Sequence, residues 1–290
     1  MRLRHVAEAV GAATALLLLW LFAVWPPPLW YRTHWPARTA FMQMRDGQAA
    51  GPRALAYHPV PLDSMAPSLI QAVLIGEDNR FWSHPGVDFV ELRQALGYRR
   101  AAFAWTSPRD LVEVSRAAGR AWSRRDALRG ASTVTQQLAK NLYLSPSRNP
   151  LRKLKEAVTA FRLESALGKR RILELYLNVV EMGEGVWGAD AASGRYFGRS
   201  AATLNRPQAA ALAGALPFPL LSNPAYKPGR MRWRQNLILR RMRGERIEVP
   251  RENEDVKPEL PPPARPSGID SLMDSLRAPV ETLPPDVYDP

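Results

Sequence analysis

The chain has 290 residues, enough for one or two domains with a full core, and a formal net charge of +13. It contains no cysteine, which excludes disulfides, thiol nucleophiles and Cys-based zinc sites, and its histidines (His5, His34, His58, His84) are too scattered to form a ligand cluster. The charge is unevenly divided: residues 244–290 carry eleven acids against five bases, a net of −6, which leaves +19 on residues 1–243. So basic a body suits phosphates, whether on nucleic acid, an anionic membrane surface or a phosphorylated substrate. Neither a Gly-rich nucleotide loop nor an internal repeat is present.

Residues 1–5 are short and basic, and residues 6–25 are apolar apart from Glu8 and the small Gly11 and Thr14. A helix of that length spans about 30 Å, one bilayer core. Trp20, Trp25, Trp30 and Tyr31 stand at or beyond its far end, as an aromatic belt would. A cleaved signal peptide is the competing reading, but no small-x-small site precedes the prolines at 26–28, and an uncleaved anchor is favoured. Arg2 and Arg4 before the span and Arg32 and Arg38 after it leave its orientation open.

Residues 31–63 read as a polar connection. A helix follows, with Leu69, Ile70, Val73 and Leu74 on its buried face, Ser64 or Asp63 as cap and Pro67 in its first turn. It runs into Gly-Glu-Asp-Asn-Arg-Phe-Trp-Ser-His-Pro-Gly-Val-Asp at residues 76–88. Glu77 and Asp78 thus arrive at the negative pole of the helix dipole, which disfavours carboxylates. Such a conflict is typical of a working site, and a carboxylate with a raised pKa suits a general base. The plainer reading is an Asx-type turn leaving a helix. Residues 89–98 can form a short helix. Residues 99–128, rich in Arg and Ala with Phe103, Trp105 and Trp122, read as an amphipathic segment touching lipid headgroups or as a solvated helical insertion.

Next comes Arg-Gly-Ala-Ser-Thr-Val-Thr-Gln-Gln-Leu-Ala-Lys-Asn-Leu-Tyr-Leu at 129–144, where Ser132 or Thr133 can cap a helix running to about Tyr143. Residues 129–155 hold six cations (Arg129, Lys140, Arg148, Arg152, Lys153, Lys155) and no acid, and then Glu156 appears. Its helix opens at Asn149–Pro150, with Leu151, Leu154, Val158 and Phe161 expected to face inward and Arg152, Lys153 and Glu156 on another face. An ordinary Arg–Glu surface pair is the default for a lone case; a carboxylate closing an acid-free basic run is less ordinary. Gly168 ends that helix. Residues 169–182 form another, with Ile172, Leu173, Tyr176, Leu177 and Val180 on its apolar side. Gly183, Gly185 and Gly188 make a tight loop before a helix to about Phe197. An Ala-rich helix opens at Arg206–Pro207, and a basic helix covers 231–243. The alternation of a real sheet is missing, so the fold class is mainly α. Ten prolines in the 47 residues from 244 onward argue for a disordered tail.

Residues 69–224 together resemble the glycosyltransferase domain of peptidoglycan synthases, found in bifunctional penicillin-binding proteins and in monofunctional biosynthetic transglycosylases. The resemblance rests on Glu77-Asp78-x-x-Phe81-x-x-His84-x-Gly86-x-Asp88, on Gly130-Ala-Ser-Thr-x-Thr-Gln-Gln-Leu-Ala-Lys-Asn141, and on Arg152-Lys-x-x-Glu156 continuing to Leu163-Glu164. Leu173-Glu-x-Tyr-Leu-Asn178 with the three glycines, and Arg195-Tyr-Phe-Gly198, complete it. Any one motif is weak; several in order are specific. Gln208 stands where the family commonly has Glu, Ala131 where many members have Gly, and the 99–128 segment is longer than the usual connection.

The resemblance implies a lysozyme-like helical glycosyltransferase domain over residues 64–243. It sits behind a cytoplasmic stub and transmembrane helix at 1–30 and a connection at 31–63, with the acidic tail from 244. It implies transfer of a polyprenyl-pyrophosphate-linked glycan chain to the 4-hydroxyl of lipid II, with inversion, giving β-1,4 bonds. Glu77 would be the general base and Glu156 the second catalytic carboxylate. Lys140, Arg148, Arg152 and Lys153 would meet the pyrophosphate. Ser132, Thr133, Gln136, Gln137 and Asn141 would line the sugar cleft, and Asp78, Phe81 and His84 would shape and position the base's loop. The resemblance allows a divalent cation (Mg or Mn) as helper. It makes the membrane and the lipid-linked glycan the partners, with other cell-wall synthesis and division proteins allowed and nucleic acid not expected. The catalytic body is then periplasmic, on the outer face of the bacterial inner membrane. With no Ser-x-x-Lys in the chain, a monofunctional polymerase is expected. The nearest rival is a lysozyme-like hydrolase or lytic transglycosylase, which also uses carboxylates in a helical cleft but needs no cationic run. A membrane-anchored protein binding nucleic acid or lipid through its basic face is the rival from another class.

Overall fold

The computed structural model describes residues 2–48, 55–95, 107–123, 132–144 and 150–247. Arg148, the Gly130–Ala131 pair, Phe103 and Trp105 and the tail beyond residue 247 lie outside the described residues.

The first helix, α1 (Arg2–Phe22), carries its apolar side chains into the surroundings rather than into the body: Val10, Leu16 and Leu19 are all exposed. Within it, residues 4–22 are long and apolar enough to cross a membrane. Its far end alone touches the body. Leu21 is buried, the Lys155 ammonium lies 4.7 Å from the Trp20 ring centroid, and Arg162 donates to the Phe22 carbonyl at 2.5 Å.

Residues 31–63 are more than a connection. They contribute α2 (Ala40–Gly47), whose Phe41 and Met42 enter the core, and a strand, β1 (Ala56–Tyr57). Thr39 caps α2 by accepting from Met42 N at 3.1 Å. The segment is stitched to α8 (Lys169–Val179) by polar side chains on one face of that helix. Arg171 donates to the Tyr31 and His34 carbonyls at 2.8 and 2.9 Å, and Glu174 accepts from Leu62 N at 2.9 Å. Asn178 exchanges two bonds with the Val60 backbone, at 2.8 and 2.9 Å. The Glu and Asn of the Leu173–Asn178 motif are therefore struts for an incoming chain.

The helix α3 (Pro67–Glu77) begins one residue after Ala66, with proline at its first position. Neither Ser64 nor Asp63 caps it: both belong to a 3-10 turn (Leu62–Ser64). The Leu69 amide, which a capping side chain could have met, donates to the Ala66 carbonyl at 2.9 Å, and the Ala66 amide donates to the Ala201 carbonyl. A short helix, α4 (Phe89–Ala95), and α5 (Pro108–Ser123), inside the long 99–128 segment, follow.

The core forms where α6 (Val134–Tyr143) packs against α7 (Pro150–Leu167) and α8, with α3 behind them covered by α10 (Arg206–Ala215). The last helix, α11 (Gly229–Met242), lies on α10 and α3. Gln208, where a Glu is commoner, forms a reciprocal capping box with Asn205 at 3.0 and 3.2 Å, a task its amide performs as a carboxylate would.

On α7 the inward face differs from the one expected. Leu151, Leu154 and Phe161 are exposed, and Glu156, Thr159, Ala160 and Leu163 are buried. The helix carries two stripes, and periodicity cannot say which of them meets a neighbour; α6 takes the one containing Glu156. Phe161 stacks at 6.2 Å on Phe89 of α4.

A small sheet also exists, against the expectation of none. Strand β2 (Glu181–Gly183) pairs antiparallel with β3 (Val186–Trp187), and β1 joins β3 in parallel with Ala56 opposite Val186. Strands of two and three residues are too short to show alternation. After β3, α9 (Ala189–Phe197) starts from Gly188 at φ +83°, where an added Cβ would fall inside contact distance of the Asn178 carbonyl. Gly188→Ala should cost about 2–4 kcal/mol from strained backbone and steric clash together. A lowered melting temperature of the full-length protein in detergent is the measurement that checks it.

Candidate active site

The site is built around the N-terminal half of α6. Thr133 caps that helix, accepting from Gln136 N at 3.1 Å while its own amide donates to Gln136 Oε1 at 3.2 Å. The cap is tied to the loop after α3. Thr133 Oγ1 donates to the Gly86 carbonyl at 2.5 Å, and Val134 N donates to Asp78 Oδ2 at 2.9 Å. Asp78 Oδ1 also meets His84 Nε2 at 2.9 Å, and Asp78 and His84 are both buried. A carboxylate at the first amides of a helix is where the dipole favours it. Asp78 thus leaves the unfavourable end of α3 for the favourable end of α6.

Gly86, at φ +104°, passes so close to α7 that an added Cβ would lie 3.1 Å from Glu164 Cγ and 3.2 Å from the Ala160 carbonyl carbon. Glu164 accepts from Thr135 Oγ1 at 2.6 Å and pairs with Lys169 at 2.7 Å, and that ammonium lies 4.3 Å from the centroid of the buried Phe81 ring. Asp78, Phe81, His84, Thr133 and Gln136 are therefore buried and held by protein partners. Asp78 and Thr133 fasten α6 to the loop after α3, His84 bonds Asp78, and Gln136 completes the capping box. Asn141 is buried as well.

Glu77, at the last position of α3, is met from two helices. Gln137 Nε2 of α6 donates to its Oε2 at 2.9 Å, and Arg234 Nη2 of α11 donates to its Oε1 at 3.0 Å. Tyr176 of α8 fixes the amide by donating its hydroxyl to Gln137 Oε1 at 3.0 Å. The carboxylate expected at the helix end thus has donors from two other helices.

Glu156 lies across α6. Its Oε2 takes Arg152 Nη1 at 2.8 Å and its Oε1 takes Lys153 Nζ, which also donates to Ser132 Oγ at 2.6 Å. Lys140 lies in the field of both glutamates: burial pulls its pKa down, and Glu156 and then Glu77 oppose that while Lys153 and Arg152 reinforce it. Glu77 is thus bonded to Gln137, Ser132 joins Arg152, Lys153 and Glu156 in one cluster, and Lys140 is coupled to both acids. Arg148 is outside the described residues.

Sequence reasoning missed Arg234, Arg45 and Glu181. Arg45 of α2 grips Glu181 of β2 with two nitrogens, each at 2.8 Å, beneath Lys140. Burial raises the Glu181 pKa, with Arg45 and Lys140 opposing. An acid inside the apolar run at 177–183 was the available signal for Glu181; Arg234 is one arginine among many on its helix.

As to a divalent cation, no cluster of three or more His, Cys, Asp or Glu side chains exists among the described residues. Both oxygens of Glu156 already face cations. That donor set does not fit a further positive ion, and no step below is routed through one.

A helical body of lysozyme-like class, with two carboxylates beside one helix and one of them rich in cations, is a carbohydrate-active arrangement. The transglycosylase family model matches residues 48–104 and 100–243, its two pieces meeting inside the long 99–128 segment. A biosynthetic peptidoglycan transglycosylase of Thiobacillus denitrificans is 38% identical over 251 residues, covering 86% of this chain and 98% of that protein. Proteins of the same description from Azoarcus sp. (40% identical; 79% and 96% covered) and Bordetella pertussis (39% identical; 84% and 93% covered) are similar in the same way. The chain belongs to the transglycosylase family.

Removing the strut at the head of α6 should unfasten that helix. Asp78→Ala leaves two buried donors unpaired and should cost about 2–4 kcal/mol. At this domain size that lowers the melting temperature by about 5–15 °C. Asp78→Asn, which keeps an acceptor, should lose less; thermal unfolding of the two variants side by side checks the order.

Proposed function

We propose that the protein polymerises peptidoglycan glycan strands. The donor is a strand whose reducing-end sugar is linked to polyprenyl pyrophosphate, and the acceptor is the 4-hydroxyl of lipid II. One observation carries this: the Glu77 carboxylate, bonded to Gln137 of α6, and the Arg152–Lys153–Glu156 cluster both act on Lys140 of the same helix. A hydroxyl attacks an anomeric carbon only as its proton is removed, and Glu77 is the candidate base. As the bond to the pyrophosphate breaks, negative charge grows on the departing oxygens. Lys140, Arg152 and Lys153 are placed to meet it, and Glu156 keeps two of them aimed. Attack from the side opposite the leaving group inverts the anomeric centre.

Both substrates are lipid-bound, and α1 supports a single-pass anchor holding the body at the outer face of the inner membrane. There the local substrate concentration is high. Leu151, Leu154 and Phe161, exposed on α7, favour the same placement, because an apolar stripe beside a membrane helix is best covered by lipid. Against a hydrolase stands the cationic cluster: cleaving an uncharged glycosidic bond gives these cations nothing to neutralise.

The test is purified full-length protein with labelled lipid II. Polymer is the expected product; breakdown of preformed glycan without polymer would favour the hydrolase. Glu77→Gln should lower turnover by about 10²- to 10⁴-fold while lipid II binding stays near the parental level.

Lys140 supplies a pH test. Its folded pKa lies below that of an ordinary lysine, so it loses its charge at a lower pH as the solution is made alkaline. Between the folded and unfolded values the unfolded chain holds more protons, so this group adds stability with rising pH while activity falls. The alkaline limb of the rate profile should therefore lie below the ordinary lysine value of about 10.4, and Lys140→Arg should move it upward.

A further inference from the structure

We propose that Arg234 is a positioning residue for the reaction: from α11 it holds the Glu77 carboxylate ionised and aimed at the incoming hydroxyl. The inference rests on the reading of Glu77 as the base.

The placement is specific. Arg234 is buried on a helix whose Arg230 and Arg232 are exposed. A buried guanidinium is costly unless its charge is met. Its Nη2 reaches both Glu77 Oε1, at 3.0 Å, and the carbonyl of the preceding Gly76, at 3.1 Å, so it grips the final turn of α3 as well as the carboxylate.

Two glycines allow the approach. A Cβ on Gly76 would lie 3.1 Å from Ile238 Cδ1 and 3.8 Å from Arg234 Nη2; one on Gly214 would lie 2.8 Å from the Met231 carbonyl oxygen and 3.5 Å from Arg234 Cβ. The helices α3 and α10 are thus cut back where α11 seats this arginine, and Gln235 locks the seat by donating to the Pro207 carbonyl at 2.9 Å.

Among the described residues the charged and titratable groups seen around Glu77 include Arg234 on α11, Lys140 on α6, Tyr176 on α8 and its own neighbour Asp78. Gln137 is a neutral donor. Arg234 is the cation in direct contact with the carboxylate in this set. Its removal leaves Glu77 easier to protonate, and a protonated Glu77 cannot act as base.

Full-length enzyme is assayed on lipid II as parent, Arg234→Lys and Arg234→Met, with kcat and kcat/KM followed against pH. Arg234→Met should lower kcat by about 10- to 100-fold with KM little changed, as misaimed bases do. It should also move the acid limb of kcat/KM upward by about one pH unit or more, the reverse of what an adjacent arginine does to a carboxylate. Arg234→Lys, which keeps the charge, should restore part of both. An arginine that merely ties α11 to α3 would change stability and leave the acid limb where it is; an unmoved limb overturns the proposal, however large the rate loss. Should the methionine variant fail to fold, Arg234→Gln takes its place under the same criterion. Glu77→Gln, run in parallel, keeps the two readings apart. If it is inactive while the arginine variants leave the limb unmoved, only the role of Arg234 falls; if it retains the parental rate, the base itself is misassigned.

Discussion

The N-terminus of α6 is the constraint on which the rest of the site depends. Four amides at the start of any helix need acceptors, and a buried start must find them within the protein. Here they come from Thr133 itself and from Asp78, which reaches across from the loop after α3. One carboxylate therefore satisfies a helix end, binds His84 and fixes its sequence neighbour Glu77 relative to α6. Placing Glu77 and completing the fold are the same act.

From that junction the motifs become one network. Glu164, the second acid of α7, ties Thr135 of α6 to Lys169 at the start of α8. Tyr176 orients the Gln137 amide so that its NH₂ faces Glu77. Glu174 and Asn178, on the next turns of α8, hold the incoming 60–62 segment. Motifs far apart in the chain meet because each supplies a donor or an acceptor that another lacks. That is why the residues are so largely polar and yet so largely buried.

Much of this was legible before any coordinates. The cap at Thr133, the opening at Pro150, the break at Gly168, and the gathering of Arg152, Lys153 and Glu156 on one helical face all follow from local rules. What was not legible depends on partners distant in sequence. On α7, Leu151 and Leu154 looked like core because periodicity reports a stripe and not its neighbour; the stripe that α6 accepts is polar. Residues 31–63 looked like a connection because their anchors, Arg171, Glu174 and Asn178, sit more than a hundred residues later. Arg234 has no local mark at all. Only the cut-back at Gly76 and Gly214 distinguishes it from the other arginines of its helix, and that is a property of three helices together.

The charge pattern carries one more step. An arginine that stabilises a carboxylate anion also makes it a weaker base, since the same contact lowers its hunger for a proton. An enzyme built this way gains less from proton removal and must gain more from elsewhere in the transition state. On the proposed function, the cations around Glu156 answer that need. Arg152 and Lys153 converge on that buried glutamate, and the charge of Lys140, coupled to both acids, is made costly by burial. A partly desolvated cation is relieved by an arriving anion. On the proposed reaction, charge growing on a departing pyrophosphate would meet groups whose ground state already favours an anion, which fits a reaction led by bond breaking at the leaving group.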